Sequence, residues 1–73
     1  MGKSYYTKQI LRERVKQLSE ALGVGLELIN CNGMWAVQYK GGGGFGPLGW
    51  YRSVKYCIIY IEGTLHGIKL TKR

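Results

Sequence analysis

The stretch RSVKYCIIYIEGTLHGIKLT, residues 52–71, decides how many strands this chain has. From Arg52 to Glu62 it is apolar on both sides. Cys57, Ile59 and Ile61 alternate with Val54, Tyr56, Ile58 and Tyr60. A β-branched and aromatic run of this kind reads as a strand covered on both faces or central in its sheet. Glu62-Gly63-Thr64 then reads as a turn, and Leu65 to Thr71 as a last short strand interrupted by Gly67. On that reading Cys57, Ile59, Ile61, His66, Ile68 and Leu70 share one face. Tyr56, Ile58, Tyr60, Leu65 and Lys69 share the other. Thr71-Lys72-Arg73 forms a short basic tail.

Upstream, the period of two is cleaner. Val24, Leu26 and Leu28 alternate with Gly25, Glu27 and Ile29, and Asn32-Gly33 follows between Cys31 and Met34. Asn-Gly tolerates the positive φ that a two-residue hairpin turn requires at both central positions. Counting outward pairs Asn30 with Trp35, Leu28 with Val37 and Leu26 with Tyr39, all on one face with Val24. Glu27 opposite Gln38 and Ile29 opposite Ala36 occupy the other face. Trp35 and Tyr39, beside Leu26 and Leu28, are expected in the core.

Residues 5 to 22 read as an amphipathic helix, because Leu11, Val15, Leu18 and Leu22 recur along one stripe. Ser4 or Thr7 supplies the N-cap hydroxyl and Gly23 the left-handed C-terminal cap. At 100° per residue, Lys8, Arg12 and Lys16 stack on one shoulder of the stripe, with Arg14 on the opposite shoulder. Glu13 and Glu20 fall outward. The expected architecture is therefore α+β: one N-terminal helix on one face of a mostly antiparallel three- to four-stranded sheet, in the order α-β-β-β-β. One helix covers one face only, so Ile29, Ile58 and several tyrosines are left for an uncovered face, which allows homodimerisation.

Between the two halves lies Gly41-Gly42-Gly43-Gly44-Phe45-Gly46-Pro47-Leu48-Gly49-Trp50, with six of the 12 glycines and the only proline. Such a segment cannot join a regular helix or strand, and it reads as a flexible arm displaying Phe45 and Trp50. Gly41, Gly43 and Gly46 match the G-x-G-x-x-G pattern. Nucleotide binding by that pattern needs a helix N-terminus and a larger βαβ unit, and here proline and a strand-like run follow. No cofactor is implied.

The totals narrow the function further. Seventy-three residues carry 11 Lys and Arg against four Glu and no Asp, for a formal charge of +7. The chain forms a single small domain (1–73) with a thin stability margin. Its nine aromatic residues, six Tyr, two Trp and one Phe, exclude a disordered polar chain. Cys31 and Cys57 form no C-x-x-C pair, and with His66 they make only three scattered metal-ligand candidates. His66 has no Asp to orient it, so catalysis is not expected. Met1 to Tyr6 offers no apolar run and nothing nears a membrane span, so a reducing cytoplasm with free thiols is expected. Cations interleaved with aromatics suit nucleic acid, in which rings stack unpaired bases and cations follow phosphates. The residues expected to do this are Lys8, Arg12, Lys16, Lys40, Phe45, Trp50, Arg52, Lys55, Tyr56, Tyr60 and Lys69. The other reading is a protein-interaction module, a small inhibitor or adaptor, homodimeric in one form, that binds an acidic protein surface.

Overall fold

A computed structural model describes residues 5–71. The order of elements is α1 (Lys8–Leu22), β1 (Leu26–Cys31), β2 (Met34–Tyr39), a one-turn 3₁₀ helix (Gly46–Gly49) and α2 (Val54–Thr71). The class is α+β, but the sheet is two-stranded and the helices number two.

α1 begins where a side chain can cap it. The Thr7 hydroxyl accepts from the Ile10 amide at 3.2 Å, and Gly23 closes the helix at φ 70° with its N–H on the Ser19 carbonyl. The helix is thus shorter at its start than the expected 5–22, and the alternative cap Ser4 lies outside the described residues. The hairpin has the register that the Asn-Gly turn dictates: Leu26 faces Tyr39, Leu28 faces Val37 and Asn30 faces Trp35. Asn32 and Gly33 both hold positive φ, 53° and 80°. Val24 lies before the strand and is exposed, as is Tyr39 at the far end of β2.

The expected third and fourth strands do not form. Residues 54–71 are one helix, with Glu62-Gly63-Thr64 in its interior instead of a turn and Gly67 a helical residue. The physical reason is the spacing of the residues that find cover. Cys57, Ile58 and Ile61 are fully buried, and Val54, Leu65 and Ile68 pack beside them. The steps of three, four and seven between them trace one helical stripe. Ile59, expected to share a face with Cys57 and Ile61, stands about half exposed on the opposite side, 49 % accessible. Ile58, expected on an uncovered surface, is in the core. Ser53 starts the helix by accepting the Tyr56 amide on its hydroxyl at 3.2 Å. Lys72 and Arg73 of the basic tail lie outside the described residues.

Gly63 and Gly67 occupy ordinary helical positions, and a Cβ added at either meets nothing within 4 Å. Neither is required by packing inside the chain. Gly63→Ala and Gly67→Ala are each expected to stabilise the fold by about 0.5–1 kcal/mol, read as a rise in the thermal midpoint. A fall in the midpoint would contradict the helical assignment.

The core gathers all four elements on one side of the hairpin. α1 contributes Leu11, Val15 and Leu18, the hairpin Leu26, Trp35 and Val37, the 3₁₀ turn Leu48, and α2 Cys57, Ile58 and Ile61. α1 meets α2 through Arg14 and Glu62, and Lys55 of α2 lies against the Tyr6 ring just before α1. Burial pushes the Cys57 thiol pKa up, against the opposing charge of Arg52. Its Sγ lies 3.7 Å from the Trp35 carbonyl, while Cys31 is exposed.

The glycine segment is docked, not loose. β2 turns backbone groups outward at Trp35, Val37 and Tyr39, and residues between Gly42 and Arg52 bond to each of these three residues. Tyr39 N–H donates to Gly43 at 2.8 Å, Phe45 N–H to Val37 at 3.0 Å, and Trp35 and Arg52 exchange both bonds at 2.7 Å. Leu48 closes this loop as a plug with no accessible surface.

Candidate functional site

Lys8, Arg12 and Lys16 project from α1 toward the hairpin and line a groove between α1 and β1. The groove is built from two adjoining concavities. One, about 460 Å³, holds Arg12, Lys16 and Lys40 above Val15, Leu26 and Leu28, with Ser19 and Glu20 at its edge. The other, about 630 Å³, holds Lys8 and Arg12 with Leu28, Asn30, Trp35 and Val54. Arg12 and Leu28 line both, so the trough is continuous.

Lys40 reaches the trough through a local device. Its N–H donates to the Gly25 carbonyl at 3.0 Å, and its stem lies across Gly25, where an added Cβ would come within 3.2 Å of the Lys40 side chain. Glu20 is the only acid lining the trough. Glu27 lies on the opposite face of the hairpin and accepts from Gln38, and Glu62 is held by Arg14. The positive potential of the trough is therefore little offset by carboxylates within it.

A second group sits where the arm enters α2. The Arg52 guanidinium lies 5.8 Å from the Tyr56 ring centroid, and Tyr56 stacks on Tyr60 at 6.3 Å and 20°. The Lys55 ammonium lies 5.5 Å from the Tyr6 ring. Trp50, one residue beyond the 3₁₀ turn, is 69 % exposed. Phe45 is placed differently. It is half buried, packed against the core and edge-on to Tyr39 at 5.5 Å.

Lys69 joins neither group. It lines a separate concavity with Arg14, Gln17, Glu62, Leu65 and His66. His66 is thus an exposed helical residue and not a strand residue facing Ile59 and Ile68. Beside it, Tyr5, Arg14 and Glu62 form a bridge. Arg14 Nε donates to Glu62 at 2.9 Å and its terminal nitrogen to the Tyr5 hydroxyl at 2.7 Å, and Tyr5 itself donates to Glu62. The Tyr5 hydroxyl, and next the Arg14 guanidinium, hold the Glu62 carboxyl below the usual range, and both partners raise Arg14.

That bridge has a pH consequence. A carboxyl whose folded pKa is depressed adds stability above its unfolded value, about 4.3 for Glu, and loses it as pH falls through the folded value. Glu62→Gln is therefore expected to lower the thermal midpoint at neutral pH, by the equivalent of up to about 1 kcal/mol because the pair is solvent-screened. The difference between the two proteins should close once the pH has fallen through the folded value and the carboxyl is protonated. A gap that persists there would show that the bridge is not the cause.

The sequence pattern marked Lys8, Arg12 and Lys16 as one shoulder, and the fold adds Lys40 to them. Asn30 and Trp35 of the trough were read only for their strand roles, and Ser19 carried no signal. The Tyr5–Arg14–Glu62 bridge joins Glu62 to residues 57 and 48 positions before it and was equally silent. Among the described residues, no three of His, Cys, Asp or Glu gather as a metal set. No helix among them is long and apolar enough to cross a membrane. No family model, no curated protein and no solved structure matches the chain.

Proposed function

We propose that the chain is a small non-catalytic nucleic-acid-binding module that holds phosphates along the α1–β1 groove. One observation carries the reading: Lys8, Arg12 and Lys16 of α1 and Lys40 from the turn after β2 line one trough, and Glu20 is its only acid. Four cations spaced along a groove suit a chain of phosphates better than a single compact anion. The alternative, an acidic protein partner, would meet the same charges but has no need of a continuous trough.

The test is the salt dependence of binding to a nucleic-acid oligomer. About four phosphate contacts give a log–log slope near −3 to −4. Arg12→Ala with Lys16→Ala should cut affinity at least tenfold and flatten the slope by about 1.5, while Lys69→Ala should leave both unchanged. Equal effects from Lys69 and the groove pair would remove the groove from the proposal. A flat salt response, or purified protein that binds an acidic protein and no nucleic acid, would remove the proposal itself.

A further inference from the structure

We propose that the aromatic column at the start of α2 is a base-stacking platform continuous with the groove, so that the ligand is a single strand with unpaired bases. The inference rests on the phosphate reading above and gives it a ligand class.

Three observations support it. First, Arg52, just before α2, and Tyr56 and Tyr60, on successive turns of it, stand four residues apart and form a column: guanidinium, ring, ring. Its outer end is a planar cation, and bases stack on arginine planes as on aromatic rings. Tyr56 remains 40 % exposed, while Tyr60 behind it is partly buried against the core. Second, Trp50 is the most exposed large apolar side chain described, yet its backbone is not loose. Leu48 is buried two residues before it, and Arg52 is bonded both ways to Trp35 two residues after it. A ring displayed on a tethered backbone loses less entropy on stacking than one on a free loop.

Third, the platform adjoins the trough. Trp35 lines the trough, and its backbone exchanges two hydrogen bonds with Arg52, the cation at the end of the column. A strand whose phosphates follow Lys40, Lys16, Arg12 and Lys8 is led to the start of α2, where Lys55 adds a further charge. In a duplex the base faces are already stacked on one another, so these rings would have no partner. Only unpaired bases can use them.

The experiment compares three probes on the unmodified protein at low salt: a single-stranded DNA of about 12 nucleotides, the same strand with abasic sites at alternate positions, and a duplex of equal length. The intact strand is expected to bind at least tenfold more tightly than either of the others. Trp50→Ala and Tyr56→Ala should each lose about tenfold on the intact strand and nothing on the abasic one, with Tyr56→Phe close to wild type. The abasic comparison needs no variant, so it stands even if Tyr56→Ala disturbs α2. Equal affinity for intact and abasic strands would overturn the platform and leave the phosphate groove standing. If none of the three binds, both fall.

Discussion

Replacing Ile58 with alanine is expected to cost about 2–5 kcal/mol, whereas the same change at Ile59 should cost less than about 0.5. The two residues are adjacent and chemically identical, so only their placement separates them. Ile58 has no accessible surface and packs with Cys57 and Ile61 against α1, while Ile59 is about half exposed on the far side of α2. A strand would also separate neighbours, but it would group Ile59 with Ile61 and set Ile58 apart. Matched losses at Ile58 and Ile61, with Ile59 nearly silent, are the signature of the helix. In a domain of this size each kcal/mol shifts the midpoint by roughly 4–8 °C, so Ile58→Ala should melt at least 8 °C lower. A larger loss at Ile59 than at Ile58 would restore the strand.

The second large effect is expected at Gly49. Its backbone passes so close to Gly44 that a Cβ built on Gly49 lies 2.8 Å from the Gly44 Cα, and one built on Gly44 lies 2.9 Å from the Gly49 Cα. Neither glycine has positive φ, so an alanine there meets no conformational penalty of its own. The whole cost is the contact. Backbone offers no rotamer by which to yield, and the loop must open, drawing Leu48 from the core. Gly49→Ala should therefore destabilise by about 1–3 kcal/mol. Gly44→Ala should cost a similar amount, and the double variant should cost clearly less than the sum, because the first substitution already breaks the shared approach. Strict additivity in chemical denaturation would show that the two glycines act separately.

These two predictions fall where local pattern and final structure part. Residues 54–71 are rich in Ile and Tyr and carry two glycines, all of which weaken a helix considered alone. Yet Val54, Cys57, Ile58, Ile61, Leu65 and Ile68 mark a helical stripe, and Ser53 stands at its cap position. That signal was present in the chain and was outweighed by the length of the apolar run. The arm shows a different kind of limit. Its glycines read as freedom, and nothing in residues 41–50 records that β2 has outward bonds to satisfy at Trp35, Val37 and Tyr39.

The candidate site divides along the same line. Lys8, Arg12 and Lys16 were legible as a column because helical spacing is local. That the column faces β1, and that Lys40 crosses Gly25 to join it, depends on how the hairpin packs. Tyr56 and Tyr60 were singled out as strand residues on one face. They do share a face, but as residues four apart on a helix, which is what stacks their rings.

What the amino-acid order determined unaided is what short-range chemistry can dictate. The Asn32-Gly33 turn set the hairpin register, Gly23 closed α1, and the excess of cations set the sign of the net charge. What only tertiary structure decided is the start of α1, left open between Ser4 and Thr7, the state of residues 54–71 and the docking of the glycine arm. An apolar run with β-branched residues is stable in either regular form, and the choice falls to whichever buries more of it. Here a neighbouring helix covers one stripe of that run completely, and the arm takes the outer edge of β2 that a third strand would have used.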